Sequence, residues 1–266
     1  MTTHQKEIER GERFRFGENW ARFLTRLTEE RIEDAKESLQ RRFELPSLVG
    51  KRFLDAGCGS GLFSLAAHQL GAEVYSFDFD PQSVACAENL RRRYGSSLPQ
   101  WTIAEGSVLD QPYMNLLGSF DLVYSWGVLH HTGQMYDAIA NVSEAAAQGG
   151  QFCIAIYNDQ GWISRYWTNV KKIYNSGIIG RAAMTAYHVP YLFGLRYLVR
   201  AASGRGKLER GMSLWHDTID WLGGYPFEVA KPEDIVSFLR RRGFVLQNMS
   251  TCGGRMGCNE FTFRKL

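Results

Sequence analysis

The sequence predicts an α/β chain with a doubly wound, mainly parallel sheet, and three observations predict it. Apolar strand-like segments alternate with helical ones between residues 52 and 157, a pattern that calls for a parallel sheet with helices on both faces. The first strand ends in a three-glycine turn, Gly57-Cys58-Gly59-Ser60-Gly61, which leads into the helical run Leu62-Phe63-Ser64-Leu65-Ala66-Ala67. Seventeen residues after Gly61, Asp78 closes the second strand, Val74-Tyr75-Ser76-Phe77-Asp78. Glycines at a strand-to-helix corner take backbone angles that a side chain forbids, and they let a ligand touch the main chain. An acid ending the next strand is placed to hold the two hydroxyls of a ribose. The pairing points to a nucleoside-like cofactor.

The elements follow in order. Residues 1–45 read as polar helices, one of them opened by Thr28-Glu29-Glu30 and carrying Ile32, Ala35 and Leu39 on one face. Strands are expected near 52–56 and 73–78. Asp80-Pro81 then reads as an N-cap with proline at the first helical position, which leaves Asp78 for the ligand. The third strand is Trp101-Thr102-Ile103-Ala104, the fourth runs from Phe120 to Ser125, and the fifth from Phe152 to Ile156. A helix from about Met135 to Gln148 is expected to stop at Gly149-Gly150. For about seventy residues the alternation is replaced by helical spacing (Ile163, Tyr166, Trp167, Val170, Ile173, Tyr174) and aromatic side chains. This segment reads as a helical insertion over the sheet. A helix from Pro232 to about Leu239 follows, stopping at Gly243, and a final hairpin joins Phe244–Thr251 to Asn259–Phe263. The expected organisation is an N-terminal helical lid (1–45), a core (46–157), an inserted cap (158–230) and the end of the core (231–266).

Composition bounds the function. The 266 residues are 44% hydrophobic and 13% aromatic, enough for a sizeable core and an apolar pocket. A net charge of +3 gives no argument for nucleic acid. Arg91-Arg92-Arg93 and Arg240-Arg241-Arg242 each fall at a helix end, where cations complement the dipole. Five cysteines without close pairing, and no histidine partners for Cys252 and Cys258, read as reduced thiols rather than disulfides or a zinc site. A polar N-terminus without a signal peptide fits a cytoplasmic chain. The longest uncharged apolar stretch, Ala182 to Leu195, is fourteen residues, too short to span a bilayer.

A dinucleotide fold would follow G-x-G-x-x-G/A. Counted from Gly57, that last position holds Leu62, and the third glycine arrives one residue early, at Gly61. The run Asp55-Ala56-Gly57-Cys58-Gly59-Ser60-Gly61 instead has the D-x-G-x-G-x-G form, and with the terminal antiparallel hairpin the chain resembles the class I S-adenosylmethionine (SAM)-dependent methyltransferases. It is most similar to the small-molecule group that includes the ubiquinone-pathway O-methyltransferases. The resemblance covers roughly 46–157 and 231–266, and implies a Rossmann-like seven-stranded sheet, SAM as cofactor and S-adenosylhomocysteine as its product. It places Gly57, Gly59 and Gly61 beneath the methionyl part and Asp55 beside its ammonium. Asp78 would take the ribose, Phe79 the adenine face, Ser107 and Val108 the adenine edge, and Trp126 the methionyl side. Many relatives carry aspartate where Ser107 stands. Phe14 to Trp20 resembles a lid segment that brings Trp20 over the cofactor; its other reading is the core of a terminal helix.

Methyl transfer from a sulfonium is an in-line displacement, so the enzyme must align a nucleophile, exclude water and, for an acidic acceptor, remove a proton. Candidate bases belong at the carboxyl ends of strands four and five. His130 and His131, just after strand four, fit, since a histidine near its ordinary pKa is a mild base at neutral pH; at most one is expected to face the methyl. Tyr157-Asn158-Asp159, after strand five, is a second cluster. Asp159 is a candidate catalytic group and Tyr157 a candidate acceptor contact. Asn158-Asp159 resembles part of the metal site of catechol-type enzymes, but the carboxylate such a site needs after strand four is replaced by Trp126-Gly127-Val128, so no metal is expected. Trp215, His216 and Tyr225 in the cap, and Asn259 at the start of strand seven, complete the candidate acceptor residues.

The expected function is therefore methylation of a small-molecule hydroxyl, phenol- or quinol-like, with a thiol acceptor as runner-up. Against an RNA acceptor stands the absence of the Asn/Asp-Pro-Pro-Tyr/Phe and Pro-Cys motifs and of an appended basic domain; a protein acceptor or a non-catalytic SAM-binding module are the remaining classes. The expected assembly is a monomer or homodimer. Arg181, Arg196 and Arg200 flank an apolar stretch compatible with peripheral membrane contact; a buried cap or dimer surface is the alternative.

Overall fold

The structure, a computed structural model, describes residues 3–25, 27–95, 99–195 and 214–266. A seven-stranded sheet runs in the order β3-β2-β1-β4-β5-β7-β6. Its strands are β1 (Arg52–Ala56), β2 (Glu73–Asp78), β3 (Trp101–Glu105), β4 (Phe120–Trp126), β5 (Ala146–Tyr157), β6 (Phe244–Ser250) and β7 (Cys258–Lys265). The first five are parallel, and β7 lies antiparallel between β5 and β6. The reversal of strand order between β1 and β4 opens a crevice at their carboxyl ends, where such sheets bind ligands.

Both faces are covered, which is why the central strands are almost wholly apolar. On one face α3 (Glu29–Phe43), α4 (Leu62–Gln69) and α5 (Pro81–Tyr94) bury Leu39, Phe43, Leu65 and Leu90 against Phe53 and Tyr124. On the other, α6 (Gln111–Leu116), α7 (Met135–Glu144) and α11 (Pro232–Arg241) bury Met114, Ile139, Val142 and Ile235 against Val123, Ile154 and Phe263. Each fully buried aliphatic side chain contributes about 1.5–3 kcal/mol, which secures the sheet well beyond what local helix propensity gives. Asp80 caps α5, its carboxylate accepting the Gln82 N–H at 2.9 Å with Pro81 at the first helical position.

The Met135 helix ends at Glu144, not at Gln148, and β5 begins at Ala146. Gly149-Gly150 lie inside that strand, where the register with β4 shifts between Phe120 and Leu122. A Cβ on Gly150 would lie within 3.0 Å of the carbonyl oxygens of Ala147, Asp121 and Phe120. The glycine pair serves a bulge with crowded backbone rather than a helix stop.

The N-terminal segment forms α1 (Thr3–Glu9) and α2 (Phe16–Leu24), the latter lying along α5. The insertion contains α8 (Trp162–Asn175), α9 (Ile178–Val189), a π-helical turn (Pro190–Leu195) and α10 (Leu214–Gly223). It has its own small core of Trp167, Val170, Tyr174, Leu192, Leu222 and Phe227. The returning chain is stitched to the sheet top: Ala230 N–H donates to Tyr157 O at 3.0 Å and Glu228 N–H to His130 O at 2.9 Å. Among the described residues no helix is long and apolar enough to cross a membrane.

Candidate active site

The glycine turn is held from below by Phe77, whose carbonyl accepts the N–H groups of Gly57 and Cys58 at 2.9 and 3.0 Å. Gly57 has φ +83°, and a Cβ there would lie 2.4 Å from a methyl of Val128, just after β4. The strand-one turn and the strand-four loop are thus brought into contact by a residue with no side chain. Asp78 reaches back under the turn, accepting the Gly59 N–H at 2.8 Å on one oxygen and the Asp80 N–H at 2.9 Å on the other. Asp55 accepts the Ser64 hydroxyl at 2.6 Å. Burial pushes the Asp55 carboxyl up to about 7, with the charge of Asp78 adding to it. Burial likewise lifts Asp78 to about 6 against the opposing effect of its two backbone donors.

The predicted residues around this turn converge on one cavity of about 1050 Å³. Asp55, Gly57, Gly59, Asp78, Phe79 and Trp20 line it, as do Ser107, Val108 and Trp126. Gly61 does not. It packs against α5, where a Cβ would come within 2.8 Å of the Ala87 Cα. A volume of this size is at the upper end of single-ligand pockets and leaves room for an acceptor beside a nucleoside. Trp20 lies over Gly59, its indole 3.0 Å from where a Cβ would be. Asp80 anchors α2 there by accepting the Gly17 N–H at 2.8 Å. One aspartate therefore caps α5 and ties down α2.

The two histidines separate. His131 lines the cavity. Its Nδ1 lies 2.6 Å from the Pro226 carbonyl, which makes Nδ1 the protonated nitrogen and leaves Nε2 as acceptor. Burial pulls its pKa down to about 3; the Pro226 hydrogen bond opposes this, and the cations of Lys171 and Arg13 reinforce it. The sequence expectation of a histidine titrating near its ordinary value is overturned by desolvation. His130 is fully buried behind it, takes the Tyr157 N–H on Nδ1 at 3.4 Å, and is not part of the cavity lining.

Other candidates also divide. Tyr157 lines the cavity with Trp221, their rings 5.6 Å apart. Asp159 does not reach it; its carboxylate accepts the Gly161 N–H at 2.7 Å in the turn before α8. Asn259 is buried in the hairpin, accepting the Cys252 N–H at 3.1 Å and donating to Asn158 Oδ1 at 3.0 Å. It closes the loop rather than facing a ligand. Tyr225 is also outside the lining and serves through its carbonyl, which accepts the Phe14 N–H at 2.9 Å. Trp215 and His216 fall on α10, with side chains outside the described residues. Among the described residues no group of three or more His, Cys, Asp or Glu is placed to hold a metal ion.

Two contributors, Arg13 and Arg42, carry no signal in the sequence, whereas Glu260 is placed by it at the start of strand seven on the active-site edge. Arg13 places its guanidinium 4.9 Å from the Phe79 ring centre and donates to the His131 carbonyl at 3.1 Å, so the N-terminal segment bridges both ends of the cavity. Arg42 pairs with Glu260 across a second lobe between α3 and β7. The buried Tyr124 and half-buried Trp126 rings lie beside them, Trp126 with the Arg42 guanidinium 5.9 Å from its centre. Long-range pairs of this kind are invisible to spacing, because nothing local relates residue 42 to residue 260.

Residues 54–152 match the family model described as a methyltransferase domain. These residues form a methyltransferase domain. This domain is 32% identical over 119 residues to a tRNA U34 carboxymethyltransferase from Alcanivorax borkumensis, a match covering 41% of this chain and 33% of that protein. It is 33% identical over 115 residues to a ribosomal protein L11 methyltransferase from Alteromonas mediterranea, covering 38% of this chain and 39% of that one. The chain thus spans little more than a third of the curated relatives it matches. The magnesium protoporphyrin IX methyltransferase of Synechocystis, solved with bound S-adenosylhomocysteine, shares the fold at a TM-score of 0.50 and 17% identity. That superposition covers 100% of this chain and 89% of the other.

Proposed function

We propose that this methyltransferase domain transfers the methyl of SAM to the acidic hydroxyl of a small phenol- or quinol-like acceptor held under the cap. The observation that carries this reading is the continuous cavity from the glycine turn past His131 to Tyr157, lined also by Trp20 and, from the insertion, by Trp221. The residues fit the cofactor on their own chemistry. Asp55 is a buried carboxyl and Asp78 a half-buried one, both with raised pKa values, a costly arrangement that a cationic, hydroxyl-bearing ligand relieves. The missing side chain at Gly57 lets Val128 of the strand-four loop pack directly on the turn. In this reading Asp55 holds the ammonium, Asp78 the ribose, Phe79 the adenine face, Ser107 and Val108 its edge, and Trp126 the methionyl side.

When bound, SAM supplies a methyl on a positively charged sulfur. The protein's own part is to orient, desolvate and accept a proton. His131 Nε2 would accept the hydrogen bond of the acceptor's O–H, orienting that oxygen toward the cofactor's methyl, and would take up the proton the acceptor loses. Its low proton affinity favours acceptors that are themselves acidic, which is why a thiol remains the alternative to a phenol.

Two relatives are named for a tRNA and a ribosomal protein, but their matches cover 41% and 38% of this chain. In this chain acceptor choice falls to the cap. The test is to incubate the protein with methyl-labelled SAM and either a metabolite extract or bulk tRNA. A low-molecular-weight product heavier by one CH₂ supports the proposal; label only in tRNA overturns it.

A further inference from the structure

We infer that the outer face of the inserted cap is a docking surface for an anionic lipid bilayer. The observation is a helix that is apolar on the wrong side. On α9 the exposed positions are Ile178, Ile179, Arg181, Ala182, Ala183, Ala186 and Tyr187, all but Arg181 apolar or aromatic, while His188 and Met184 face inward. Ile178 and Ile179 are 86% and 87% exposed, and Tyr187 is 74% exposed. The neighbouring elements add Trp162 and Tyr191, 70% and 65% exposed. A soluble surface helix shows the opposite pattern, with its polar face outward. A contiguous exposed apolar patch marks an interaction site.

Charge identifies the occupant. From Gln160 to Leu208 the sequence carries eight lysines and arginines and no aspartate or glutamate; Lys171 is buried, and Arg196, Arg200, Arg205 and Lys207 lie outside the described residues. The whole chain has a net charge of only +3, so the remainder is net acidic. Arg165, Lys172 and Arg181 are exposed on the two helices that form this face. Cations around an aliphatic and aromatic surface match the headgroup and acyl boundary of an anionic leaflet, where each basic residue near the surface adds attraction. A second copy of the chain would bring the same uncompensated cations against these. RNA could stack on Trp162, Tyr187 and Tyr191 but would gain nothing from Ile178, Ile179 and three alanines, which an acyl boundary buries.

The test uses the full chain in vesicle flotation, with phosphatidylcholine vesicles and with phosphatidylcholine–phosphatidylglycerol vesicles. The expected result is flotation with the anionic vesicles, weakened by added salt as the charges are screened. The double variant Ile178→Glu/Ile179→Glu alters only exposed side chains. It should keep its circular dichroism and SAM affinity while losing about tenfold or more of its vesicle partitioning. No flotation of the native chain, or equal flotation of the double variant, overturns the inference. So does sedimentation of the native chain as a dimer that the double variant dissolves, or salt-sensitive tRNA retention in place of lipid binding. SAM affinity is read separately, so failure here leaves the methyl-transfer proposal standing.

Discussion

Asp55 and Asp78 show how burial converts ordinary acids into ligand-responsive groups. In the free protein Asp55 is about half protonated near pH 7, and a cationic amine beside it requires the carboxylate. SAM affinity measured by calorimetry should therefore rise as pH increases through 7 and level off above it, falling by up to about tenfold per pH unit below. Asp55→Asn should flatten that profile; a flat profile in the native protein would count against the assignment. For folding the sign is opposite. Because the native carboxyl binds its proton more tightly than the unfolded one, its contribution to stability is full below the ordinary carboxylate range and is lost as pH rises through about 7.

His131 makes a second residue-scale prediction. With its pKa pulled down to about 3 it stays neutral across the working range. His131→Ala should lower kcat while leaving SAM affinity unchanged, and the native pH–rate profile should show no inflection from this imidazole between pH 5 and 8. The sequence placed His130 and His131 equally well. Adjacent residues share every local signal, and only the burial of one ring behind the other distinguishes them.

At the scale of elements, the strand-to-helix units were legible and their joints were less so. Apolar patterning located all seven strands, and Asp80-Pro81 marked the start of α5 with its cap. Patterning misassigned Gly149-Gly150, because a glycine pair after a helix reads as a stop whether the chain ends the helix there or bulges inside the next strand. Asp80 also proved to have a second task. Asp80→Ala removes both the α5 cap and the acceptor for Gly17. It should cost about 1–2 kcal/mol in chemical denaturation and speed SAM release by loosening α2 and Trp20. Gly61→Ala addresses a different joint. Its Cβ would press on the Ala87 backbone at a φ of +80°, so a loss of roughly 1–3 kcal/mol is expected. Unchanged unfolding midpoints would show that the α4–α5 packing is looser than described.

The whole molecule is a sheet that presents one crevice, with two accessory pieces that pack on each other beside it, Phe14 N–H donating to Tyr225 O at 2.9 Å. The N-terminal segment reaches the cavity through Trp20 and Arg13, and the insertion reaches it through Trp221. A ligand bound among them stabilises all three at once. SAM at a hundredfold excess over its Kd should add about 2.7 kcal/mol, which for a chain of this size raises Tm by about 5–10 °C. A thermal-shift measurement without such a rise would show that the cavity does not bind SAM in this closed arrangement.

The sequence by itself determined the sheet, the glycine turn and the cofactor class. Each rests on local periodicity or on residues within one strand–turn–helix unit, where backbone sterics leave few options. Only the tertiary structure decided which histidine lines the cavity, that Asn259 and Asp159 serve loops, and that Arg13 and Arg42 belong to its walls. It also turned the apolar side of α9 outward. These depend on desolvation and on contacts between residues far apart in the chain, and a one-dimensional pattern holds neither.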